Sequence, residues 1–324
     1  MSFRRAARLS PGGVLLLLAL FLSGCGTLEV ERLATVHPGL PERSEITDVP
    51  FHPQDADQCG PAALAMALNW AGDPVDPGDL APSVYTAARK GSLQSTLVSA
   101  TRRQGRVAYR ISGMANLLAE VAAGHPVVVL QNLAFFWYPI WHYAVVIGYD
   151  LPAGDILLHS GTHPRESLPV RLFERTWARS GEWGLLVLPP GKMPVRVDEE
   201  TYLEAVVGLE HAQQWEGAVE AYSAALRRWP SSLGAAIGLA NSYYALGQLT
   251  QAQTVLRQAT RDHPDSAPAF NNLAQVLAEL GRHREAAMAA RRAVDLGGPD
   301  PAIYRKTLSE IESARHRSNR VRSR

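Results

Sequence analysis

In Gln54-Asp55-Ala56-Asp57-Gln58-Cys59-Gly60-Pro61-Ala62-Ala63-Leu64 a cysteine stands directly ahead of a helical pattern. Ala63, Leu64, Met66, Ala67 and Trp70 recur at helical spacing, and Pro61 suits the first turn, so a helix is predicted over 61–71. A thiol at a helix N-terminus meets unpaired N–H groups and a partial positive charge, which lower its pKa and favour the thiolate. Gly60 permits close backbone approach. Gln54 can offer a side-chain N–H to a developing oxyanion, beside the backbone N–H of Cys59. Such a cysteine suits attack on a carbonyl and needs a base. His142 is the best placed histidine: it follows the aromatic run Phe135-Phe136-Trp137-Tyr138-Pro139-Ile140-Trp141 and opens the strand pattern His142-Tyr143-Ala144-Val145-Val146-Ile147-Gly148-Tyr149. Phe136, Trp137, Tyr138 and Trp141 are expected either to wall the substrate cleft or to cap the core against the 61–71 helix.

Around these residues, 92–104 and 114–123 read as further helices. Short apolar runs at 127–130, 144–149, 156–159 and 185–188 read as buried strands. Helices followed by a run of strands argue for an α+β domain with an antiparallel sheet over 49–190. His159 and His163 lack an HExxH pattern or an obvious third ligand, so no metal and no cofactor is called for. Among 324 residues there are 32 basic and 31 acidic side chains, which gives no basic surface of the kind nucleic acid requires. Two cysteines exclude a disulfide-stapled scaffold and a cysteine-rich zinc module.

The other cysteine has a different setting. Arg4, Arg5 and Arg8 precede the nine-residue apolar run Val14–Leu22, too short to span a bilayer but suited to a signal peptide. The run ends in Leu22-Ser23-Gly24-Cys25, which resembles the lipobox of bacterial lipoproteins. That resemblance implies export by the Sec route, removal of residues 1–24 and lipid attachment at Cys25. Gly26, where an aspartate would retain the protein in the inner membrane, points to the outer membrane, facing the periplasm. Removing the leader takes three of the 32 basic residues and no acidic one, leaving a net charge of −2. Residues 25–48 read as a tether. Cys59 is then an unpaired thiol in an oxidising compartment, a liability unless it is used.

After Pro189-Pro190-Gly191 the character changes. Leu246-Gly247 recurs as Leu280-Gly281, Trp229-Pro230 as His263-Pro264, and Ala218 as Ala252 and Ala286, each at a step of 34 residues. This period resembles the tetratricopeptide repeat. Three repeats are expected at about 199–232, 233–266 and 267–300, with a capping helix to 313 and a solvated, frayed basic tail over 314–324. Such arrays present a concave face to a protein or peptide partner.

Gln54 and Cys59-Gly60-Pro61-Ala62-Ala63-Leu64, followed by His142-Tyr143-Ala144-Val145-Val146-Ile147-Gly148-Tyr149-Asp150, resemble the bacteriocin-processing, double-glycine leader peptidases. The closest likeness is to stand-alone lipoproteins of that family with C-terminal tetratricopeptide repeats. The resemblance implies a papain-like cysteine peptidase with Cys59 as nucleophile, His142 as general base and Gln54 as oxyanion donor. It also implies cleavage of secreted peptides after Gly-Gly. Family members place an acidic residue or asparagine on the strand after the histidine; here Ser160 falls at that place, with Asp150 and Asp155 nearby. A serine can orient an imidazole but brings no charge. Three functions follow: a lipid-anchored cysteine endopeptidase, a catalytically weak papain-like domain serving as a binding scaffold, or a cell-wall amidopeptidase.

Overall fold

The computed structural model describes residues 39–54 and 57–322, with side chains as far as Ala314. The expected leader, the expected lipid-attachment residue Cys25 and the expected tether as far as residue 38 lie outside the described residues. Residues 39–48 are not all tether: Arg43–Glu45 forms strand β1. Its Arg43 guanidinium bonds the Asp150 carboxylate at 2.8 Å, and Ile46 and Val49 are buried, so this segment is sewn into the first domain.

Helix α1 (Cys59–Trp70) is buried from Gly60 to Leu68. Its small and apolar residues leave almost no polar face, which fits a helix enclosed by a sheet and by its neighbours. Helices α2 (Pro77–Val84) and α3 (Gln94–Arg103) pack beside it, joined by a small hairpin of β2 (Tyr85–Thr86) and β3 (Gly91–Ser92). The main sheet is antiparallel throughout. It takes β4 (Val107–Ile111), β5 (Val127–Asn132), β6 (Trp141–Asp150), β7 (Asp155–Ser160), β8 (His163–Pro169) and β9 (Gly184–Leu188) in the order β4-β9-β5-β6-β7-β8. Helices α4 (Met114–Ala122) and α5 (Val170–Ala178) fill the connections. Strand β6 is the spine: its first half pairs with β5, its second half with β1 on the same side, and β7 runs along its other edge. Cys59 and His142 thus sit at the start of the buried helix and near the start of the central strand, where both elements reach the surface.

From Glu199 the chain is helical, in three pairs: α6 (Glu199–His211) with α7 (Trp215–Arg228), α8 (Leu233–Ala245) with α9 (Leu249–Asp262), and α10 (Ala267–Glu279) with α11 (His283–Leu296). Ser232 and Ser266 cap α8 and α10 by accepting the N–H groups of Ala235 and Ala269. Gly247 and Gly281 turn between helices at φ 71° and 73°; Gln213 takes the same left-handed conformation at φ 58°, a costlier choice for a residue with a Cβ. At Gly238 a Cβ would lie 2.2 Å from the Tyr222 ring, so the crossing of α7 and α8 depends on the missing side chain. The closing helix α12 spans Pro301–Arg322, and this corrects the reading of a frayed basic tail. No Gly or Pro follows Pro301, and alanine, leucine, lysine and arginine all favour helix. Among the described residues no helix is long and apolar enough to cross a membrane.

The two regions share a core. Tyr202, Ala205, Val206 and Leu209 of α6, with Ala218, Ala221 and Tyr222 of α7, belong to the same apolar cluster as α1 and the sheet. Tyr202 donates to the carbonyl oxygens of Pro190 and Ala221 at 3.5 and 3.4 Å, and Gln214 donates to the carbonyl of Arg103 at 2.9 Å.

Candidate active site

A cleft of about 790 Å3 opens between the start of α1, the β2–β3 hairpin and the start of β6. Gln54, Cys59, Trp141, His142 and Tyr143 line it, along with Arg89, Lys90 and Ser92. Cys59 is half-buried in the first turn of α1. Gly60 beside it is constrained, since a Cβ there would fall 2.2 Å from the Ser92 hydroxyl.

Gln54 is buried and held at three points. Its backbone N–H donates to the carbonyl of Gly161 at 2.9 Å, its Oε1 accepts the N–H of Gly161 at 2.9 Å, and its Nε2 donates to the carbonyl of Tyr143 at 3.1 Å. An amide nitrogen has two hydrogens. Tyr143 takes one, which leaves one for the cleft. The His142 ring is half-buried, with Nε2 3.0 Å from Ser160 Oγ. Ser160 is therefore the group on β7 that orients the ring. Asp150 is tied to Arg43 and the N–H of Ala153, and Asp155 accepts from Ser167 Oγ at 2.6 Å, so both serve the turn between strands. His159 is structural: its Nε2 bonds the carbonyl of Val49 and its ring meets Phe51 edge-on. Among the described residues no three His, Cys, Asp or Glu side chains gather as a metal site.

The electrostatics correct one expectation. Burial pushes the Cys59 thiol up, and backbone hydrogen bonding from Tyr143, Gly60 and Cys59 itself only partly offsets it; the charge of Asp57 adds to the rise. Burial likewise pulls His142 below the ordinary histidine value, against the field of Glu166. Desolvation is the largest cause at both groups, so burial favours the neutral thiol and the neutral imidazole over their charged forms. Glu166 stands on β8 opposite Leu158, two residues before Ser160 on the neighbouring strand. Its negative charge supports an imidazolium where no carboxylate touches the ring. Glu166→Gln removes that charge, so the His142 pKa should fall further and the acid limb of the kcat/KM profile should move to lower pH. An acid limb that stays put or moves up would contradict the assignment.

The aromatic run divides. Trp141 lines the cleft with Pro139 and Ile140, whereas Phe136, Trp137 and Tyr138 do not. They occupy the tip of the β5–β6 hairpin, closed by a bridge between Phe135 and Tyr138, and they are 82%, 71% and 70% exposed. This corrects their assignment to the cleft wall and equally excludes a core-capping role. Residues the sequence did not flag complete the site. Tyr143 bonds Gln54 through its carbonyl and Ser92 through its hydroxyl, donating to the Ser92 carbonyl at 3.2 Å. Gly161 clamps Gln54, and Glu166 lies in an edge strand with no apolar run to mark it.

Residues 46–183 match the Peptidase_C39 like family, and residues 203–250 and 237–301 match the tetratricopeptide repeat. No curated protein matches the chain. Among solved structures, one described as a C39-like peptidase from Bacillus anthracis is 22% identical over 46% of this chain and 98% of that one, with a TM-score of 0.40. The Sgt2 TPR domain from Aspergillus fumigatus is 19% identical over 38% of this chain and 82% of its own, at 0.36. A thermophilic TPR protein of Thermus thermophilus is 24% identical over 45% and 72%, at 0.34. The chain carries a C39-like peptidase domain followed by tetratricopeptide repeats.

Proposed function

We propose that this C39-like domain is a cysteine endopeptidase on an exported chain anchored by lipid at Cys25, and that the repeats bind its protein substrate or a partner. The observation that carries the reading is the hydrogen bond between His142 Nε2 and Ser160 Oγ beside a cleft that Cys59 and Gln54 also line. With Nε2–H donating to Ser160, Nδ1 of the neutral imidazole is left as the base. On attack, the Cys59 thiol gives its proton to His142 and its sulfur bonds to the scissile carbonyl carbon. The oxyanion is met by the free Gln54 amide hydrogen and the Cys59 N–H. The imidazolium returns the proton to the leaving amine, and water, deprotonated by His142, hydrolyses the thioester. A second reading, a catalytically weak binding scaffold, is favoured by the serine hydroxyl in place of a carboxylate and by the burial that raises the thiol pKa.

Peptides carrying an internal Gly-Gly, drawn from small exported proteins, provide the test with the full chain as enzyme. Cleavage at one bond is expected, and Cys59→Ala should bring it to background. Cleavage that survives Cys59→Ala contradicts the peptidase reading; binding without cleavage by the unsubstituted chain favours the scaffold.

A further inference from the structure

The segment Leu133-Ala134-Phe135-Phe136-Trp137-Tyr138-Pro139-Ile140-Trp141 carries no charged side chain. Seven of its nine residues are large, apolar or aromatic, and six of these seven are exposed by half or more, with Leu133 at 49%. Elsewhere among the described residues the exposed large apolar side chains are scattered singly. The segment is also firmly built. Asn132 Oδ1 accepts the N–H groups of Ala134 and Ile140 at 3.1 and 3.0 Å, and Arg179 donates to the carbonyl oxygens of Asn132 and Ala134 at 3.2 and 2.5 Å. Phe135 stacks on Trp137 with centroids 4.8 Å apart. A contiguous apolar tip held in shape and turned to water marks a contact surface.

We propose that this hairpin seats in the interfacial layer of a lipid bilayer. Three observations select a membrane over a protein partner. The rings include Trp and Tyr, the amphipathic residues that settle at headgroup depth, beside Phe, which belongs on the apolar face of interfacial segments. No charge interrupts the tip, while the Arg179 guanidinium sits behind it at the hairpin base, where headgroup phosphates would lie. The length of chain ahead of the domain supplies the third: 17 residues separate Cys25 from Arg43, the start of β1. Fully extended they reach roughly 60 Å. On the lipid-anchor reading, on which this inference rests, the domain never leaves the neighbourhood of the bilayer, and a small tip that binds weakly by itself is presented at high effective concentration. Pro139, Ile140 and Trp141 belong both to the hairpin and to the cleft rim. Insertion of the tip therefore turns the Cys59 cleft toward the membrane surface, and the substrate class is a peptide lying on that surface.

The test uses the full chain purified from membranes and reconstituted into phosphatidylethanolamine–phosphatidylglycerol vesicles, with or without brominated acyl chains that quench nearby tryptophans. Quenching is expected, and Trp137→Phe, which keeps an aromatic ring at the tip, should reduce the quenched emission about twofold or more. Quenching that is absent, or unchanged by Trp137→Phe, overturns the proposal; so does self-association in sedimentation that buries the tip against a second copy. Mass spectrometry of the N-terminal peptide reads the anchor separately. Lipid present without quenching refutes the hairpin alone. Quenching by added vesicles without attached lipid refutes the anchor and leaves the hairpin standing.

Discussion

His142→Ala should lower kcat/KM for peptide cleavage about 10²–10⁴-fold, the range that a positioned proton-transfer group supplies. The loss belongs at the upper end of that range. Where a thiolate is preformed, a cysteine retains some nucleophilicity without its base. Here burial raises the Cys59 pKa and disfavours a preformed thiolate, so removing the imidazole removes the acceptor for its proton as well as the donor to the leaving amine. His142 is half-buried near the start of β6, and its ring makes a single side-chain hydrogen bond, to Ser160. An alanine there keeps the strand's backbone pairing with Gln131. Thermal melting should therefore change little, and a large loss of stability accompanying the loss of rate would assign His142 to the scaffold. In the unsubstituted enzyme the acid limb of kcat/KM should lie below the ordinary histidine value of about 6.5, because a depressed pKa keeps the base neutral to lower pH.

Tyr202→Ala should destabilise the protein by about 3–5 kcal/mol, as truncation of a large buried ring does. Tyr202 is fully buried in α6, its ring centroid 6.0 Å from that of Trp229, and its hydroxyl reaches the backbone of Pro190 in the connection out of the peptidase domain. Because the first repeat shares its apolar cluster with α1 and the sheet, the damage should not stay in the repeats. Cleavage activity and repeat helicity should be lost in one thermal transition at a lowered Tm. Two separate transitions, with activity persisting through the first, would show that the repeats are an independent module.

The chemistry-bearing residues are legible in the sequence because their setting is local physics. A cysteine before an apolar helical run with proline in its first turn reads as a helix start, and a histidine heading Tyr-Ala-Val-Val-Ile reads as a strand mouth. The α+β sheet and the repeat array follow from strand runs and a 34-residue period. The features that escape a sequence reading depend on distance through space. The thiol's pKa turns on how deeply α1 is enclosed, which no local pattern states. The aromatic run stands next to His142 in sequence, yet a tight hairpin carries Phe136, Trp137 and Tyr138 away from the cleft. Helix α2 is hidden because Pro77, Gly78 and Pro82 look like loop, although Asp76 caps it by accepting the Gly78 N–H. Strand β8 reads His-Pro-Arg-Glu-Ser-Leu-Pro, an edge strand without an apolar run, and so conceals Glu166. The charge of the tail suggests fraying, although its residues favour helix.

The proposed reaction turns on Cys59 as a nucleophile whose proton passes to His142. Labelling with a peptidyl vinyl sulfone at neutral pH, followed by intact-mass measurement, tests it most directly, since the sulfone traps only a thiol that is deprotonated as it attacks. One adduct is expected, at Cys59, forming far faster than on free cysteine and slowed on the order of a hundredfold or more by His142→Ala. Labelling no faster than free cysteine, at a rate indifferent to His142→Ala, would contradict the account and leave the domain a binding scaffold.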